Sequence, residues 1–275
     1  MALAAGIKRL TAAGVPSPAV DARGLAAYVL GVEMSQLVLL EDLTGSDLTS
    51  FVEAFSEVIQ RREAREPLQW ITGVAPFGPL DLAVGPGVFI PRPETELLAD
   101  WAVRQQQNTY LDLCTGSGAL SAYISHYVPQ ATVIGVDISR SALGYARRNA
   151  TSVQFVQADL AQLPFPESHF DCVVANPPYV PEVDPVSGVP TAVEPEVARD
   201  PHSAVFAGTD GLAVMADLAR SCYRLLSPGG VVGVEHDESH QRQVADIFAA
   251  AGFTRIEPRR DLAGRPRHIT AVKPR

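Results

Sequence analysis

The sequence predicts an α/β protein, in which helices cover both faces of a mainly parallel sheet and a small helical domain precedes that sheet. Two observations support this fold class. From residue 109 onward, short apolar runs of strand length alternate with segments of helix length, which is the pattern of a parallel sheet. In the first 65 residues the apolar side chains recur at helical spacing instead.

Residues 1–67 are predicted to form a helical bundle that binds the substrate. Ser17 and Pro18 combine a capping residue with a proline suited to the first helical turn, and Gly31 is typical of the residue that ends such a helix. After Ser46, apolar residues follow one face of a long helix that continues to about Arg65. The piece 37–40 is apolar but indicates no particular structure.

Residues 68–90 are predicted to form a β-hairpin linker, because Glu66-Pro67 interrupts the preceding helix. Extended pieces are expected at 68–71, 80–84 and 88–90, with a turn at Gly85-Pro86-Gly87. A charged and rigid junction, Pro91-Arg92-Pro93-Glu94-Thr95-Glu96, then opens the predicted catalytic domain, residues 91–275.

The catalytic domain is predicted to contain seven strands. We expect them at 109–113, 132–136, 153–156, 171–175, 230–234, 254–257 and 268–272. Helices are expected near 118–127, 140–149, 210–226 and 238–251. A long connection, 180–209, is expected where a substrate would enter, since loops of this length are often functional.

The composition narrows the possible partners. A chain of 275 residues that is 47% hydrophobic can build a full core, and no apolar run approaches the roughly 18 residues that span a bilayer. The N-terminus lacks the features of a signal peptide, and three distant cysteines predict reduced thiols in a cytoplasmic protein without a metal site. A net charge of −9 argues against duplex DNA as a partner, and we expect a monomer. His236 and His240 lack a nearby third ligand and are expected on a solvated helix face.

A glycine-rich turn follows the first predicted strand of the catalytic domain, in the peptide Leu111-Asp112-Leu113-Cys114-Thr115-Gly116-Ser117-Gly118. Glycines let the backbone approach a ligand, and the start of the following helix offers unpaired N–H groups to an anion. Ser121 stands where a third glycine would complete the dinucleotide fingerprint. The turn therefore indicates a ligand site without identifying the ligand.

Three acidic residues at successive strand ends, Asp112, Asp137 and Asp159, narrow the choice. Asp137 is placed to accept hydrogen bonds from ribose hydroxyls and Asp159 from an adenine amino group, although each alone could be a helix cap. Asp112 would repel a pyrophosphate but suits an α-ammonium group. S-adenosylmethionine has all these groups and is the predicted cofactor. A nicotinamide-dependent oxidoreductase is the alternative, and the incomplete fingerprint disfavours it.

The tetrapeptide Asn176-Pro177-Pro178-Tyr179 ends an apolar strand, because prolines cannot donate to a sheet ladder. Ligands of open α/β sheets bind at the carboxyl ends of strands. An amide, an aromatic face and proline carbonyls suit a planar group that carries an NH2. Asn-Pro is also a common loop opener, so the tetrapeptide alone leaves both interpretations open.

Together these residues resemble the class I S-adenosylmethionine-dependent methyltransferases and, more narrowly, the HemK/PrmC family, which methylates a glutamine side-chain amide in peptide-chain release factors. The resemblance covers nearly the whole chain and implies a Rossmann-like seven-stranded sheet. Its most specific motif is the junction 91–96, and the peptides 65–73 and 210–212 also match. The Asn-Pro-Pro-Tyr motif is shared with enzymes that methylate the amino groups of adenine and cytosine.

The resemblance implies roles for individual residues. Those implied to hold the cofactor are Asp112, Cys114, Thr115, Gly116, Ser117, Gly118, Asp137, Asp159, Leu160 and Asn176. Those implied to hold the acceptor glutamine, in a Gly-Gly-Gln loop of the release factor, are Asn176, Pro177, Pro178 and Tyr179. Leu160 stands where some relatives have a large aromatic residue, and 207–209 lacks their paired glycines.

The predicted catalytic residues are Asn176, Pro177 and Tyr179. The side-chain oxygen of Asn176 and the carbonyl of Pro177 are expected to accept the two amide N–H groups of the glutamine, and Tyr179 to pack against the amide plane. The alternatives are a methyltransferase acting on a ribosomal-protein glutamine, an adenine-specific DNA methyltransferase, and an inactive cofactor-binding module.

Overall fold

The computed structural model describes residues 2–37, 44–184 and 187–275, which form two compact units. The first unit comprises Met1–Val74 together with Glu194–Arg199, and the second comprises Ala75–Val193 and Asp200–Arg275. The domain boundaries predicted at residues 67 and 90 stay predictions. Most of the apolar piece 37–40 lies outside the described residues.

The first unit is helical. Its helices are α1 (Ala2–Ala12), α2 (Pro18–Leu30), α3 (Gly45–Glu63) and α4 (Leu68–Thr72). Each of the three long helices turns apolar side chains inward, and Leu10, Leu25, Phe55 and Ile59 form the centre of its core. The periodicity that predicted these helices is therefore the pattern of their buried faces.

The prediction of an extended segment at 68–71 was wrong, because these residues form α4. The extended piece predicted at 88–90 was also wrong, because β2 ends at Ala83 and residues 88–90 pair with no strand of the described residues. The backbone N–H groups of Trp70 and Ile71 both donate to the carbonyl of Pro67, which closes a single turn. Ile71 is buried in the core of the first unit, and Gly73 ends the turn. A run of four apolar residues is too short for periodicity to distinguish a strand from a helical turn.

An ion-pair cluster ties the segment Glu194–Arg199 to the helices of the first unit. The guanidinium of Arg62 bonds to Asp21 at 2.7 Å and to Glu196 at 2.7 Å, and Arg65 binds both oxygens of Glu196 at 2.6 Å. Burial opposes the charge of Glu196, but hydrogen bonds from Arg65 and Arg62 prevail and lower its pKa to about 2. Part of the long connection 180–209 is thus anchored by charge.

The second unit contains a two-stranded sheet and a seven-stranded sheet. The small sheet pairs β1 (Val74–Phe77) with β2 (Leu80–Ala83). The strands of the large sheet are β3 (Thr109–Leu113), β4 (Thr132–Asp137), β5 (Gln154–Gln157), β6 (Phe170–Ala175), β7 (Leu226–Glu235), β8 (Thr254–Arg260) and β9 (Pro266–Val272). The helices of this unit are α5 (Pro93–Arg104), α6 (Ala119–Tyr127), α7 (Arg140–Asn149), α8 (His202–Val205), α9 (Met215–Leu225) and α10 (Gln241–Ala250).

The large sheet has the order β5-β4-β3-β6-β7-β9-β8. The first five strands in this order are parallel, whereas β9 is antiparallel to both β7 and β8. The chain runs outward from β3 through β4 to β5 and then returns to place β6 on the other side of β3. The strand order therefore reverses between β3 and β6, which is where open α/β sheets bind ligands.

Side chains of the central strands face opposite sides of the sheet in alternation. Leu111 and Val173 belong to one buried cluster with α9 and α10, whereas Tyr110 and Val174 belong to a second cluster with α5 and α6. Helices on both faces explain why these strands are apolar throughout. The predicted mainly parallel sheet of seven strands is confirmed. Within the described residues, every helix is too short or too polar to cross a bilayer.

Candidate active site

Two turns leave the same edge of the large sheet where the strand order reverses. The glycine-rich turn, residues 114–118, follows β3, and the Asn-Pro-Pro-Tyr turn, residues 176–179, follows β6. Leu113 and Ala175, the last residues of these two parallel strands, are paired in register. The fold therefore brings Cys114 and Asn176, which are distant in sequence, to adjacent positions along this edge.

The glycine-rich turn has a tightly determined backbone. The N–H of Thr115 donates to the carbonyl of Val136 at 2.9 Å, and that of Gly116 donates to the carboxylate of Asp137 at 2.8 Å. Gly118 is the N-cap residue that precedes α6, with a φ of +81°, and an added Cβ would lie 3.1 Å from Ala146. Glycine is required at this position both for its conformation and for its small size.

Asp112 lies beneath the turn and is fully buried. Its Oδ2 accepts hydrogen bonds from the Thr115 hydroxyl, from the Ser121 hydroxyl at 2.7 Å and from the Ser121 backbone N–H at 3.1 Å. Its Oδ1 has no hydrogen-bond partner among the described residues. Burial raises the pKa of Asp112 to about 6, although these hydrogen bonds oppose the shift. Ser121, which the sequence marked only as a missing glycine, supports this carboxylate.

The unpaired Oδ1 of Asp112 tests whether the site fits S-adenosylmethionine. A buried carboxylate oxygen without a donor is costly and rare in folded proteins, and an α-ammonium group would supply the donor. Backbone N–H groups at the start of α6 suit the carboxylate of the same ligand. The residues present at this turn therefore fit the amino-acid end of the predicted cofactor.

The other two predicted acidic residues differ in their surroundings. Asp137 ends β4 and is partly buried, and its oxygens accept the N–H groups of Gly116 and Ser139, each at 2.8 Å. Burial raises its pKa. Asp159 is exposed and caps a short 3-10 helix by accepting the N–H of Ala161 at 2.9 Å, and Leu160 begins that helix half-buried. The sequence allowed two roles for Asp159, a helix cap or an acceptor for the adenine amino group, and the structure shows that it caps a helix.

The Asn-Pro-Pro-Tyr turn is held by two side chains from other elements. The Asn176 Nδ2 donates to the Thr95 hydroxyl at 3.0 Å, while the Tyr179 hydroxyl donates to Glu235 Oε1 at 2.8 Å. The Thr95 hydroxyl in turn donates to Glu235 Oε2 at 2.7 Å. These four residues form one connected network around a single carboxylate.

Glu235 is buried at the carboxyl end of β7, with only 1% of its surface exposed. Ala175 pairs with Val234 in the parallel register of β6 and β7, so Asn176 and Glu235 are the next residues along neighbouring strands. Burial raises the pKa of Glu235, and the hydrogen bonds from Thr95 and Tyr179 oppose that shift. The sheet register therefore positions the carboxylate beside the turn.

Sequence reasoning missed both Thr95 and Glu235 as site residues. Thr95 lies inside the junction 91–96, whose specificity was noted without a role for any of its side chains. Glu235 follows the apolar run 230–234, so it is a further acidic residue at a strand end and resembles Asp112 in that respect. Its position at the end of a predicted strand was the signal that could have identified Glu235 as a site residue.

The junction and the peptide 210–212 pack around the same turn. Arg92 forms an ion pair with buried Asp200 at 2.9 Å, and burial raises the pKa of Asp200 to about 6 despite that partner. An added Cβ on Gly211 would lie 2.5 Å from the Tyr179 carbonyl oxygen and 2.7 Å from the ring of His240. Only glycine allows this close approach.

The expectation that His236 and His240 lie on a solvated helix face was wrong. His236 is fully buried and His240 is 5% exposed. The reason is that β7 extends to Glu235, so that His236 follows a buried strand directly. Burial lowers the pKa of His236, and its Nδ1 contacts the carbonyl of Asp237 at 2.7 Å.

Comparison with known families agrees with this geometry. Residues 111–189 match the family described as a methyltransferase domain, and residues 1–73 match the PrmC N-terminal domain. These matches and the similarity to nearly full-length relatives show that the chain is an S-adenosylmethionine-dependent methyltransferase, which confirms the predicted class I fold, enzyme class and cofactor.

Three similar proteins are release factor glutamine methyltransferases. That of Corynebacterium glutamicum is 45% identical over 96% of this chain and 95% of its own length. Those of Mycolicibacterium smegmatis and Mycobacterium leprae are 44% and 45% identical over 99% and 98% of this chain, and 96% and 95% of theirs. The chain belongs to the family of release factor glutamine methyltransferases, as the resemblance predicted. The roles of its individual site residues stay predictions.

Proposed function

We propose that this enzyme transfers a methyl group from S-adenosylmethionine to the side-chain amide nitrogen of a glutamine in a peptide-chain release factor. The similar enzymes are named for this activity. One observation in the structure supports it most: the Asn176 amide is anchored through its nitrogen, which leaves its oxygen as an acceptor at the edge that also carries the glycine-rich turn.

The residues proposed to hold the cofactor are those of the glycine-rich turn and the strand ends around it. Asp112 would bind the α-ammonium group and residues 114–118 the carboxylate, while Asp137 would bind the ribose. Asp159 and Leu160 would flank the adenine. The bound cofactor supplies an electrophilic methyl group on a sulfonium centre.

The acceptor turn is proposed to orient the glutamine amide. An amide nitrogen is a poor nucleophile, because its lone pair is delocalised into the carbonyl. The Asn176 side-chain oxygen and the Pro177 carbonyl would each accept one N–H of the glutamine, which fixes the direction of the nitrogen and favours positive charge on it. Pro178 keeps the turn rigid and Tyr179 packs against the amide plane. The proton can leave after methyl transfer, so no strong base is required.

A ribosomal-protein glutamine and a DNA adenine carry the same planar NH2 chemistry. The similar enzymes are named for release factors, which favours a release factor over a ribosomal protein as the substrate. The net charge of −9 disfavours DNA as the substrate. Three free cysteines fit the reducing cytosol, where we propose that the enzyme acts as a monomer without a stable nucleic-acid partner.

The test is methyl transfer from labelled S-adenosylmethionine to a purified release factor, a ribosomal protein and duplex DNA, each offered separately. We expect label on the release factor alone, at one glutamine located by peptide mass spectrometry. A release factor with that glutamine replaced by Glu is the matched control and should remain unlabelled. Label on DNA or the ribosomal protein in place of the release factor would contradict the proposal.

A further inference from the structure

We propose that Thr95 and Glu235 are positioning residues, which fix the orientations of Asn176 and Tyr179 for the acceptor amide. This inference rests on the proposed function, since it takes the Asn-Pro-Pro-Tyr turn as the acceptor site. Neither residue needs to touch the substrate. Each acts through a hydrogen bond to a side chain of the turn.

Thr95 determines which end of the Asn176 amide faces it. A threonine hydroxyl has one proton, and Thr95 donates that proton to Glu235. The hydroxyls of Thr95 and Tyr179 both donate to Glu235, one to each oxygen, which is the arrangement of a carboxylate that only accepts. The Thr95 oxygen can then only accept from Asn176, which requires the amide nitrogen at that position. The Asn176 oxygen is consequently directed away from Thr95 and is available to a substrate N–H.

Glu235 holds Tyr179 by the same chemistry. Its Oε1 accepts a hydrogen bond from the Tyr179 hydroxyl at 2.8 Å, and its Oε2 accepts one from the Thr95 hydroxyl. One oxygen therefore holds Tyr179, and the other holds the threonine that contacts Asn176. The group is 1% exposed, so water does not compete for these oxygens. One buried carboxyl group therefore orients both side chains of the turn, Tyr179 directly and Asn176 through Thr95.

The groups around Glu235 leave this arrangement undisturbed. His268, opposite Glu235 in the pairing of β7 with β9, has its Nε2 3.9 Å from Oε2, which is too far for a hydrogen bond. Burial lowers the pKa of His268 to about 4, so its ring is neutral at pH 7. The nearby charges of Arg267 and Glu94 act on Glu235 in opposite directions. The two hydroxyls therefore remain the donors to this carboxylate.

The first test compares Thr95→Val with Thr95→Ser in the full-length enzyme. Valine has the shape of threonine without its hydroxyl, whereas serine keeps the hydroxyl. We expect Thr95→Val to lower kcat on the release factor by about tenfold or more, because the amide loses its fixed orientation. Thr95→Ser should stay within about threefold of the wild type. In both variants the Kd for S-adenosylmethionine, measured by calorimetry without release factor, should change by less than about twofold.

Thr270→Val is the matched control. Thr270 is a buried threonine of β9, whereas Thr95 is a buried threonine of α5. The Thr270 hydroxyl accepts from Arg259 on β8 at 3.2 Å instead of contacting the acceptor turn. The control variant should retain the wild-type kcat while losing a similar amount of stability. Normal turnover by Thr95→Val would overturn the inference. A loss shared equally by kcat, cofactor affinity and melting temperature in Thr95→Val, without recovery in Thr95→Ser, would also overturn it.

Glu235→Gln provides an independent test. The new side-chain amide would present an NH2 to either the Thr95 or the Tyr179 hydroxyl, so at least one bond must reverse, and kcat should fall while cofactor Kd is unchanged. Unchanged kcat would overturn the inference. The proposed function is judged separately, because it fails only if the wild-type enzyme leaves the release factor unmethylated.

Discussion

The glycine-rich turn and the Asn-Pro-Pro-Tyr turn lie at the same edge of the sheet, and each is built over a buried carboxylate at a strand end. The two carboxylates differ in how they are used. Asp112 keeps one oxygen without a partner among the described residues, whereas both oxygens of Glu235 accept hydrogen bonds from the protein. Because an unpaired buried oxygen is costly, the first site is prepared for a ligand and the second is a support for its neighbours.

The backbones of the two turns also differ in the hydrogen-bonding groups that they offer to a ligand. Next to the glycine-rich turn, the start of α6 can present backbone N–H donors, which suit the carboxylate of the cofactor. Pro177 and Pro178 have no N–H, so the acceptor turn offers carbonyl oxygens, which suit an NH2 group. One turn is thus chemically suited to an anion and the other to a hydrogen-bond donor.

Asp112→Asn should produce the largest effect on the cofactor side of this comparison. Loss of the charge that would pair with the α-ammonium group costs about 2–5 kcal/mol, so the Kd for S-adenosylmethionine should rise by about 30-fold or more. The KM for release factor at saturating cofactor should change little. Calorimetry gives the first value and steady-state kinetics the second. An unchanged cofactor Kd would remove Asp112 from the cofactor site.

Tyr179→Phe should lower turnover while leaving cofactor binding unchanged, which is the reverse of the effect expected for Asp112→Asn. The change in turnover should be smaller than the change in cofactor Kd caused by Asp112→Asn. The variant keeps the aromatic face but leaves Oε1 of buried Glu235 without its donor, which costs about 1–3 kcal/mol of stability. We expect kcat to fall by about threefold to tenfold while the cofactor Kd is retained. Chemical denaturation and single-turnover rates test these expectations. A selective loss of cofactor affinity would contradict the assignment of Tyr179 to the acceptor site.

Acidification should weaken cofactor binding through Asp112. Burial raises the pKa of this group to about 6, so the free enzyme loses the carboxylate charge as the pH falls below that value. The Kd for S-adenosylmethionine should then rise by at most about tenfold per pH unit, and Asp112→Asn should abolish this dependence. Calorimetry between about pH 5 and about pH 8, in steps of roughly one pH unit, tests it.

Protonation of Asp112 should weaken cofactor binding but stabilise the unliganded protein against unfolding. Because the folded-state pKa of Asp112 lies above its unfolded value of about 3.9, its charge destabilises the unliganded protein at neutral pH. This penalty disappears as the pH falls from above about 6 towards about 4.

The binding prediction has its own contradicting outcome. A cofactor Kd that does not vary with pH in the wild type would contradict the role of the Asp112 carboxylate.

Gly118→Ala should have the smallest effect, mainly on stability. The φ of +81° disfavours alanine by about 1–2 kcal/mol, and the new methyl group would also crowd Ala146 at 3.1 Å. Gly144→Ala, in α7 with open space around it, is the control and should be neutral or stabilising. Thermal unfolding of both variants measures the difference. Equal melting temperatures would contradict the tight packing of this turn.

The strands and both turns were predictable because their signals are local. The apolar runs of β3 and β6 and the residues that end them lie together in the sequence. The network of Thr95 and Glu235 was not predictable, because these residues are 81 and 59 positions from Asn176. The register of β6 with β7 brings Glu235 beside Asn176, and the packing of α5 on the sheet brings Thr95 there. The burial of His236 was missed for the same reason, and α4 was missed because its run is too short to show a period.

The central claim is that the acceptor turn holds the glutamine while the glycine-rich turn holds the cofactor. Asn176→Ala tests this claim most directly, when cofactor Kd and methyl transfer to release factor are measured on the same preparation. We predict a cofactor Kd within about twofold of the wild type and a transfer rate lowered by about a thousandfold. A variant that methylates the release factor at the normal rate would contradict the account.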